Sequence, residues 1–301
     1  MDTDKLNIPT YMIRIDGQSV TVENANVNIF DHGFLYGDSV FEVVRTVDNK
    51  ILFAKEHLQR LARSAEKISF ELPWHEDRLM AEMNEIVKAK KWDGETYIRL
   101  IITRGAGLID LSPESCTGSK VIMIGKSLPV FPSRFYETGI VLCLTDIRRN
   151  SHRAMDPGIK SGNYLNNVMA MIESKRKGAD DAVMLNEHGN ITESTTSNFY
   201  IVKSGRILTP PLDSGILAGI TREYLRSLCE SAKIDFIETV LNLEDLASAD
   251  EMFLSGTVKG VMPVSRIVGV AEWSGKPGPV TKKLRDLYES SIKKVALAAN
   301  I

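Results

Sequence analysis

Cysteine is scarce in this chain of 301 residues. Cys116, Cys143 and Cys229 are the three present, and no two of them form a Cys-x-x-Cys pair. An odd number of widely spaced cysteines supports neither a disulfide framework nor a cysteine zinc site. The histidines are scattered without the spacing of metal ligands, so we expect no bound metal. Free thiols in these numbers predict a reducing, cytoplasmic location.

Two further features are missing, a strong charge imbalance and long apolar runs. The formal net charge is −2, with 43% hydrophobic and 25% charged residues. Binding to nucleic acid or to an anionic membrane surface requires a basic excess, so neither partner is expected. No apolar run approaches membrane-spanning length, and the first residues lack the pattern of a signal peptide. The composition is that of an ordinary globular protein.

Length and punctuation predict two domains. A chain of 301 residues exceeds the usual size of one domain. The segment 127–134 contains two prolines and has no hydrophobic periodicity, so we predict an interdomain linker there. The predicted arrangement is a small α+β domain over 1–126 and a larger domain over 135–301, which gives a fold class of α/β (α+β).

Hydrophobic periodicity predicts the secondary structure of both parts. In the first, the pattern predicts a hairpin over 10–23, strands at 39–47, 51–53, 96–103 and 120–125, helices at 55–69 and 76–90, and loops at 31–38 and 105–118. In the second, it predicts strands at 139–145, 181–185, 199–202, 234–239 and 252–254, and helices at 164–177, 221–232, 243–248 and from about 280.

One lysine stands in an unusual setting. Lys160 follows a Pro-Gly turn and has no charged neighbour within three residues on either side. A lysine withdrawn from water loses its preference for the ammonium form and becomes an amine nucleophile, which an aldehyde cofactor requires. Taken alone, Lys160 is better explained as a surface lysine in a turn before a helix.

Two later segments complete a recognisable pattern. Glu193 begins a run of small hydroxyl residues that ends in Asn198-Phe199-Tyr200, and Gly215 to Arg222 brackets the start of an amphipathic helix. Together with Lys160 these segments resemble the class IV, fold type IV aminotransferases that use pyridoxal 5′-phosphate. The resemblance covers nearly the whole chain. It implies a small N-terminal domain, a larger C-terminal domain with a mixed sheet or pseudo-barrel, and a homodimer.

The resemblance also assigns cofactor-binding residues. It implies that Lys160 forms the Schiff base and then moves the proton, that Glu193 binds the ring nitrogen, and that Tyr164 binds the phenolate oxygen. For the phosphate and its surroundings it implies Arg60, Leu217, Gly219, Ile220, Thr221, Gly256 and Thr257. Without the resemblance, Arg60 is an ordinary arginine on a helix surface and Glu193 a solvated carboxylate in a turn.

Substrate binding admits more than one interpretation. Tyr97 and Arg99 resemble the Tyr-x-Arg of branched-chain aminotransferases, and the resemblance places Phe41 near the substrate and Tyr36 on a loop that reaches the neighbouring subunit. Arg104, in Thr-Arg-Gly, resembles the carboxylate-binding arginine of D-amino-acid transaminases and aminodeoxychorismate lyases. Alone, either arginine could also be a solvated charge at a strand edge.

Several positions depart from the branched-chain pattern. Phe41 to Arg45 reads Phe-Glu-Val-Val-Arg where that pattern has Phe-Glu-Gly-Ile-Arg. The Glu-Gly-(Ser/Thr)-Gly element becomes Glu193 to Thr196, and Thr-Gly-Thr-Ala becomes Ser255 to Val258, followed by Lys259. We therefore keep several functions open.

The favoured function is transamination from branched-chain L-amino acids to a 2-oxo acid such as 2-oxoglutarate. The alternatives are a D-amino-acid transaminase, an aminodeoxychorismate lyase that releases pyruvate, and a cofactor-carrying protein without activity.

Overall fold

The computed structural model describes residues 10–270 and 277–298. Its strands are β1 Met12–Ile15, β2 Gln18–Val20, β3 Ser39–Val47, β4 Lys50–Ile51, β5 Thr96–Thr103, β6 Lys120–Ser127, β7 Ile140–Leu144, β8 Asp181–Leu185, β9 Ile191–Ser194, β10 Asn198–Lys203, β11 Arg206–Thr209, β12 Phe236–Glu238, β13 Glu251–Gly256 and β14 Gly260–Val268. Its helices are α1 His32–Leu35, α2 Ala54–Lys67, α3 Glu76–Ala89, α4 Ser133–Thr138, α5 Leu165–Arg176, α6 Ile220–Ser231, α7 Leu243–Ala247 and α8 Pro279–Ala298.

The described chain divides into two compact units. The first contains residues 10–129, Lys160–Asn163 and the last described residues from 295 onward. The second contains Val130–Ile159 and the described part of Tyr164–Lys294. The passage from the first unit to the second falls within the predicted linker 127–134. The four residues that begin with Lys160 group with the first unit although they follow that linker.

The first unit is built on one antiparallel sheet with the order β2-β1-β6-β5-β3-β4. Along β5 the burial alternates, so that Ile98 and Leu100 enter the core while Tyr97 and Arg99 lie half-buried on the opposite face. Residues of α2 and α3 belong to the same core as Ile98 and Leu100. The pattern of period two thus gives the sheet one helix-covered face and one face that carries polar groups.

The second unit contains a mixed sheet whose strands follow the order β12-β11-β10-β13-β14-β7-β8-β9. Strands β9 and β10 also pair with each other, through Glu193 and Asn198. This pairing closes six of the strands, β10, β13, β14, β7, β8 and β9, into a barrel-like ring. The pairs β7 with β8 and β7 with β14 are parallel, whereas the other contacts of the ring are antiparallel.

Most predicted elements are confirmed, and the exceptions have physical causes. The segment 31–38, predicted as a loop, contains the single-turn helix α1, whose N-cap Asp31 accepts a hydrogen bond from the amide of Gly33. One turn is too short to show hydrophobic periodicity. Strand β14 was not predicted, because Pro263 interrupts its pattern. Its pairing with β7 starts at Val264, so Pro263 lies outside that ladder.

Across residues 10–270 and 277–298, no helix combines the length and the apolar composition needed to span a bilayer.

Candidate active site

The backbone of Lys160 is hydrogen-bonded to the first unit on both sides. Its amide donates to Oγ of Ser64 in α2 at 3.2 Å, and its carbonyl accepts from the amide of Phe41 in β3 at 3.0 Å. Val40 and Ser161 form an isolated antiparallel bridge, and the amide of Gly162 donates to the carbonyl of Ser39 at 2.9 Å. The segment therefore lies as a short extra strand beside β3, which defines the direction of Lys160.

Two cations lie against the ring of Phe41. Nζ of Lys160 is 4.4 Å from the ring centre, and the guanidinium carbon of Arg99 is 3.9 Å from it. The face of an aromatic ring attracts cations, so Phe41 holds both side chains near one another. The predicted nucleophile and the predicted substrate arginine are thus brought together by one phenylalanine, which was itself predicted to lie near the substrate.

Arg60 belongs to a buried cluster with Glu42 and His57. Its Nε and Nη2 donate to the carboxylate of Glu42 at 2.6 and 2.9 Å, and Nδ1 of His57 lies 2.7 Å from the same carboxylate. Burial alone would raise the pKa of Glu42, but attraction to Arg60 and His57 outweighs it and holds the pKa well below its usual range. Burial lowers the pKa of His57, against the opposing attraction of Glu42. His57 is therefore neutral and donates to Glu42 through Nδ1. The predicted contact of Arg60 with a phosphate stays a prediction.

The polar face of the first sheet carries a further arginine that was not predicted. The register pairs Val43 with Arg99 and Arg45 with Tyr97, so Arg45, Tyr97 and Arg99 share one face, which confirms the predicted common face of the latter two. Nε of Arg45 is buried and has no hydrogen-bond partner among the described residues. The sequence around Arg45 does not distinguish it from a solvent-exposed strand residue. Its position beside Tyr97 follows only from the register between β3 and β5.

Arg104 is committed to structural contacts. Its Nε and Nη2 both donate to the carboxylate of Asp38, the latter at 3.1 Å. Nη2 also donates to the carbonyl of Ile68 at 2.9 Å, Nη1 donates to the carbonyl of Ser69 at 3.2 Å, and the guanidinium carbon lies 4.8 Å from the centre of the Phe70 ring. Arg104 thus ties the end of β5 to the segment before β3 and to the end of α2.

Tyr36 follows α1 directly. Its ring packs edge-on against the ring of His32, with 4.9 Å between the ring centres, and its side chain is partly exposed.

In the second unit, Glu193 is the centre of a buried network. Oε1 accepts from Nη2 of Arg149 at 2.9 Å. Oε2 accepts from Nδ2 of Asn198 at 3.3 Å and from the amide of Leu217 at 3.2 Å. The carboxylate is therefore oriented by one guanidinium and two neutral donors. Leu217, predicted as a cofactor residue, contributes to this network through its backbone.

Arg149 was not predicted as a site residue. Its Nη1 donates to Oδ1 of Asn167 at 3.2 Å, and Nδ2 of Asn167 donates in turn to the carbonyl of Thr195 at 2.7 Å. Nε of Arg149 is buried and has no hydrogen-bond partner in the described part of the chain. The sequence around Arg149 reads as a basic loop, so no local signal identifies it as a buried residue.

The N-terminus of α6 lies beside this network. Its N-cap residue, Gly219, has no side chain that could cap the helix, so the amides of Ile220 and Thr221 are suited to binding an anion. A Cβ atom at Gly219 would lie 2.0 Å from Oδ1 of Asn198. Glycine is required here because any side chain would displace Asn198, which donates to Glu193.

Three other predicted residues also lie in the second unit. Gly256 ends β13, and Thr257 begins the turn 257–259 that leads into β14. The position of a Cβ atom at Gly256 is 3.3 Å from Oγ of Ser197, so the turn packs closely against the loop before β10. Tyr164 is half-buried at the N-cap position of α5. A search of the described residues found no cluster of three or more His, Cys, Asp or Glu side chains able to hold a metal.

Comparison with solved structures identifies the class of fold. The crystal structure of the branched-chain aminotransferase of Escherichia coli matches this chain with a TM-score of 0.89 and 30% identity, over 94% of this chain and 95% of that chain. A T.th. branched-chain aminotransferase with pyridoxamine 5′-phosphate matches with a TM-score of 0.88 and 28% identity, over 94% of each chain. The chain therefore has the two-domain α/β architecture of the fold type IV enzymes, as the motifs predict.

Sequence comparison then identifies the family. The family model described as amino-transferase class IV matches residues 39–267. A putative branched-chain-amino-acid aminotransferase of Methanocaldococcus jannaschii is 36% identical over 277 residues, covering 92% of this chain and 95% of the relative. A D-alanine aminotransferase of Staphylococcus epidermidis is 33% identical over 281 residues, covering 93% and 97%. The chain belongs to the class IV aminotransferases and is a pyridoxal-phosphate-dependent enzyme, which confirms the predicted family and cofactor.

The residues present fit this cofactor. The second unit offers a buried carboxylate for a protonated ring nitrogen, and an uncapped helix N-terminus with Thr221 for a phosphate. The first unit offers an amine whose backbone is bound on both sides. The names of the relatives include both branched-chain and D-alanine aminotransferases, so the choice of substrate depends on the site itself.

Proposed function

We propose that this enzyme transfers the amino group of branched-chain L-amino acids to a 2-oxo acid such as 2-oxoglutarate. The observation that carries the proposal is the difference between Arg99 and Arg104. A substrate carboxylate binds best to a guanidinium that can offer two parallel N–H donors. The two candidate functions assign this role to different arginines.

Arg99 has the donors that such a role requires. Its guanidinium stacks on Phe41 and makes no hydrogen bond or ion pair with any residue that the structure describes. Arg104, in contrast, donates to Asp38, Ile68 and Ser69. To bind a carboxylate, Arg104 would have to give up contacts that hold three parts of the first unit together. This favours Arg99, with Tyr97, as the receptor, and it disfavours the D-amino-acid transaminase and the lyase.

The central chemical role falls to Lys160. We infer that Nζ of Lys160 would hold the cofactor through its aldehyde group, and that the same amine, when free, would carry a proton between Cα of the substrate and the cofactor, in one direction in each half-reaction. Pyridoxal phosphate, when bound, supplies the ring that accepts the electrons left at Cα. The contacts of Lys160 with Ser64 and Phe41 support this role, because a general base must be held in one direction.

The remaining assignments follow from charge. We infer that Glu193 binds the protonated ring nitrogen and that Arg149 keeps Glu193 ionised and oriented. Tyr164 would donate to the phenolate oxygen. The phosphate would be held by Arg60, by Ile220 and Thr221 at the start of α6, and by Gly256 and Thr257 in the hairpin, while Gly219 leaves room for Asn198.

We also infer a homodimer, because the first unit exposes an apolar patch. The patch comprises Ile29, Phe30, Phe34, Leu108, Ile109 and Leu111, with exposures from 43% to 82%. Its two segments are joined by hydrogen bonds from the amide of Gly107 to the carbonyl of Phe30 at 3.1 Å and between Nε2 of His32 and the carbonyl of Leu108 at 2.9 Å. Contiguous exposed apolar side chains mark an interaction surface. Tyr36, on the same segment, would then approach a neighbouring subunit.

The three free thiols support a reducing location such as the cytoplasm, since Cys143 and Cys229 are buried and Cys116 is partly buried.

A half-reaction screen tests the proposed function. The purified enzyme, loaded with pyridoxal phosphate, is mixed with L-leucine, L-valine, L-alanine and their D-enantiomers, and the cofactor absorbance is followed. We expect a rapid loss of the visible band with L-leucine and L-valine, and its recovery with 2-oxoglutarate. A faster reaction with D-alanine would support the D-amino-acid transaminase. Release of pyruvate from aminodeoxychorismate without an oxo acid would support the lyase, and an unchanged spectrum would support a protein without activity.

A further inference from the structure

Two departures from the class IV pattern lie in neighbouring segments of the second unit. Thr196 stands where the pattern has glycine, in the loop 194–197, which begins with Ser194, the last residue of β9. Lys259 follows the altered Ser255 to Val258 and lies in the turn 257–259. The strands next to these segments, β10 and β13, pair with each other through Asn198 and Ser255. The two segments are therefore close to each other.

Asp181 binds Lys259, which also contacts Thr196. It is the first residue of β8 and is 2% exposed. Nζ of Lys259 lies 2.6 Å from Oδ2 of Asp181 and 3.3 Å from Oγ1 of Thr196. Burial alone would raise the pKa of Asp181, but attraction to Lys259 outweighs it and holds the pKa below its usual value. Lys259, which lies in the turn, thus contacts both Thr196 in the loop and the buried carboxylate of Asp181.

The other oxygen of Asp181 holds the loop directly. Oδ1 accepts from Oγ1 of Thr195 at 2.6 Å, from the amide of Thr195 at 3.3 Å and from the amide of Ala182 at 2.8 Å. Oγ of Ser194 donates to Oδ2 at 3.3 Å. One buried carboxylate therefore holds the loop 194–197 through three of its donors and the turn 257–259 through Lys259.

We propose that Asp181 and Lys259 are a positioning pair that joins the loop 194–197 to the turn 257–259 and so presents Gly256 and Thr257 to the cofactor phosphate. This inference rests on the proposed function only in assigning Thr257 to the phosphate. A turn that is ordered before binding loses less conformational entropy when an anion arrives, so the pair raises affinity for the cofactor without touching the reacting atoms.

The first experiment measures cofactor affinity. The dissociation constant of pyridoxal phosphate is obtained by equilibrium dialysis of the full-length apoenzyme and of the variants Lys259→Met, Asp181→Asn and the double variant. We expect each single variant to raise the constant about tenfold, and the double variant to raise it no further, because both remove the same link. At saturating cofactor, kcat should change less than twofold. Lys259→Arg should restore most of the affinity. The matched control is Lys203→Met, which removes a lysine that donates to Ser248 at the far end of β10.

The second experiment measures the link without the cofactor. Amide hydrogen exchange of the apoenzyme should be faster in peptides that cover 194–197 and 256–260 in Lys259→Met, and unchanged in Lys203→Met. Unchanged exchange in Lys259→Met would overturn the proposal, and this one variant decides it even if Asp181→Asn fails to fold. A loss of cofactor affinity in Lys259→Met but not in Asp181→Asn would also overturn it, since Lys259 would then act on the anion directly. A wild-type chain that bound no pyridoxal phosphate would refute the proposed function, and the exchange measurement would still decide the role of Lys259.

Discussion

Lys160 and Phe41 contact each other twice: the Lys160 carbonyl accepts a hydrogen bond from the Phe41 amide at 3.0 Å, and Nζ of Lys160 lies 4.4 Å from the centre of the Phe41 ring. The backbone bond ties the segment of Lys160 to β3, and the ring defines where the amine lies. The same ring supports Arg99 at 3.9 Å. The first unit therefore brings the amine of Lys160 and the guanidinium of Arg99, which lies on β5, against one ring on β3. The proposed base and the proposed carboxylate receptor require such an arrangement.

The first prediction concerns Lys160. In Lys160→Ala, transamination should fall by about 10²- to 10⁴-fold, the range typical of a lost general acid–base group. Treatment of the wild-type holoenzyme with borohydride should produce a stable adduct on Lys160, and the variant should give none by peptide mass spectrometry. Lys120→Ala, which removes an exposed partner of Asp16, is the control and should keep full activity. Undiminished turnover in Lys160→Ala would refute the proposed mechanism.

The second prediction separates Arg99 from Arg104. Arg99→Gln should raise the KM of both the amino acid and the oxo acid about 10- to 100-fold, because a charge-assisted bond to the carboxylate is lost, while the free energy of unfolding stays nearly constant. Arg104→Gln should instead lower the free energy of unfolding by about 1–3 kcal/mol, because Asp38 and two carbonyls lose their donor. Kinetics with L-leucine and urea unfolding check both. The reverse pattern would favour the D-amino-acid transaminase.

The third prediction concerns Glu193 and Arg149. Glu193→Gln should lower kcat about 10- to 100-fold, because a neutral amide no longer stabilises a proton on the ring nitrogen. Arg149→Met should lower kcat less but should destabilise the apoenzyme by about 3–5 kcal/mol, because a buried carboxylate loses its cation. Thermal unfolding of the apoenzyme and single-turnover kinetics separate the two effects. Equal kinetic losses with no change in stability would contradict the supporting role of Arg149.

The fourth prediction concerns the pH dependence of stability. Burial lowers the pKa of His57 below 6.5, the value that applies to the unfolded chain. Below pH 6.5, His57 therefore binds a proton in the unfolded state but not in the folded state, and the free energy of unfolding falls as the pH falls. This one group contributes at most about 1.4 kcal/mol per pH unit. The pKa of Glu42 is also depressed, and its contribution is lost only below its ordinary value of 4.5.

His57→Gln should therefore flatten the stability curve between pH 6.5 and about 5. Urea unfolding of the apoenzyme across this range checks the prediction. The matched control is His75→Gln, which changes a histidine whose side chain is 83% exposed, and it should leave the slope unchanged. A slope in His57→Gln equal to that of the wild type would show that His57 is not the titrating group.

The fifth prediction concerns the apolar patch. A charge introduced at Phe34 or Ile109, which are 69% and 75% exposed, would have to be desolvated in an interface. Phe34→Glu and Ile109→Glu should therefore shift the molecular mass in sedimentation from dimer to monomer. Val130→Glu places the same charge at a residue that is 94% exposed and outside the patch, and it should leave the mass unchanged. Dimers of both patch variants would refute this interface.

Sequence patterns predicted a large part of the fold and of the site for local reasons. Alternation over β3 and β5 gives the strands and the common face of Tyr97 and Arg99, because successive side chains of a strand point to opposite sides. The start of α6 follows from glycine and a helical apolar pattern. Strand β14 was not predicted, because Pro263 interrupts its hydrophobic pattern. In the structure this strand pairs with β13 on one side and with β7 on the other.

The sequence by itself determined the family and the cofactor and proposed Lys160 as the amine, because Lys160, Glu193 and the start of α6 are recognised by short-range patterns. Only the tertiary structure decided the partners of the charged groups. Arg149 meets Glu193 across 44 residues of chain, and Arg104 meets Asp38 across 66. No local pattern encodes such pairs, because strand register and loop closure place the donors. In the proposed function, these pairs leave Arg99 rather than Arg104 to receive a substrate carboxylate.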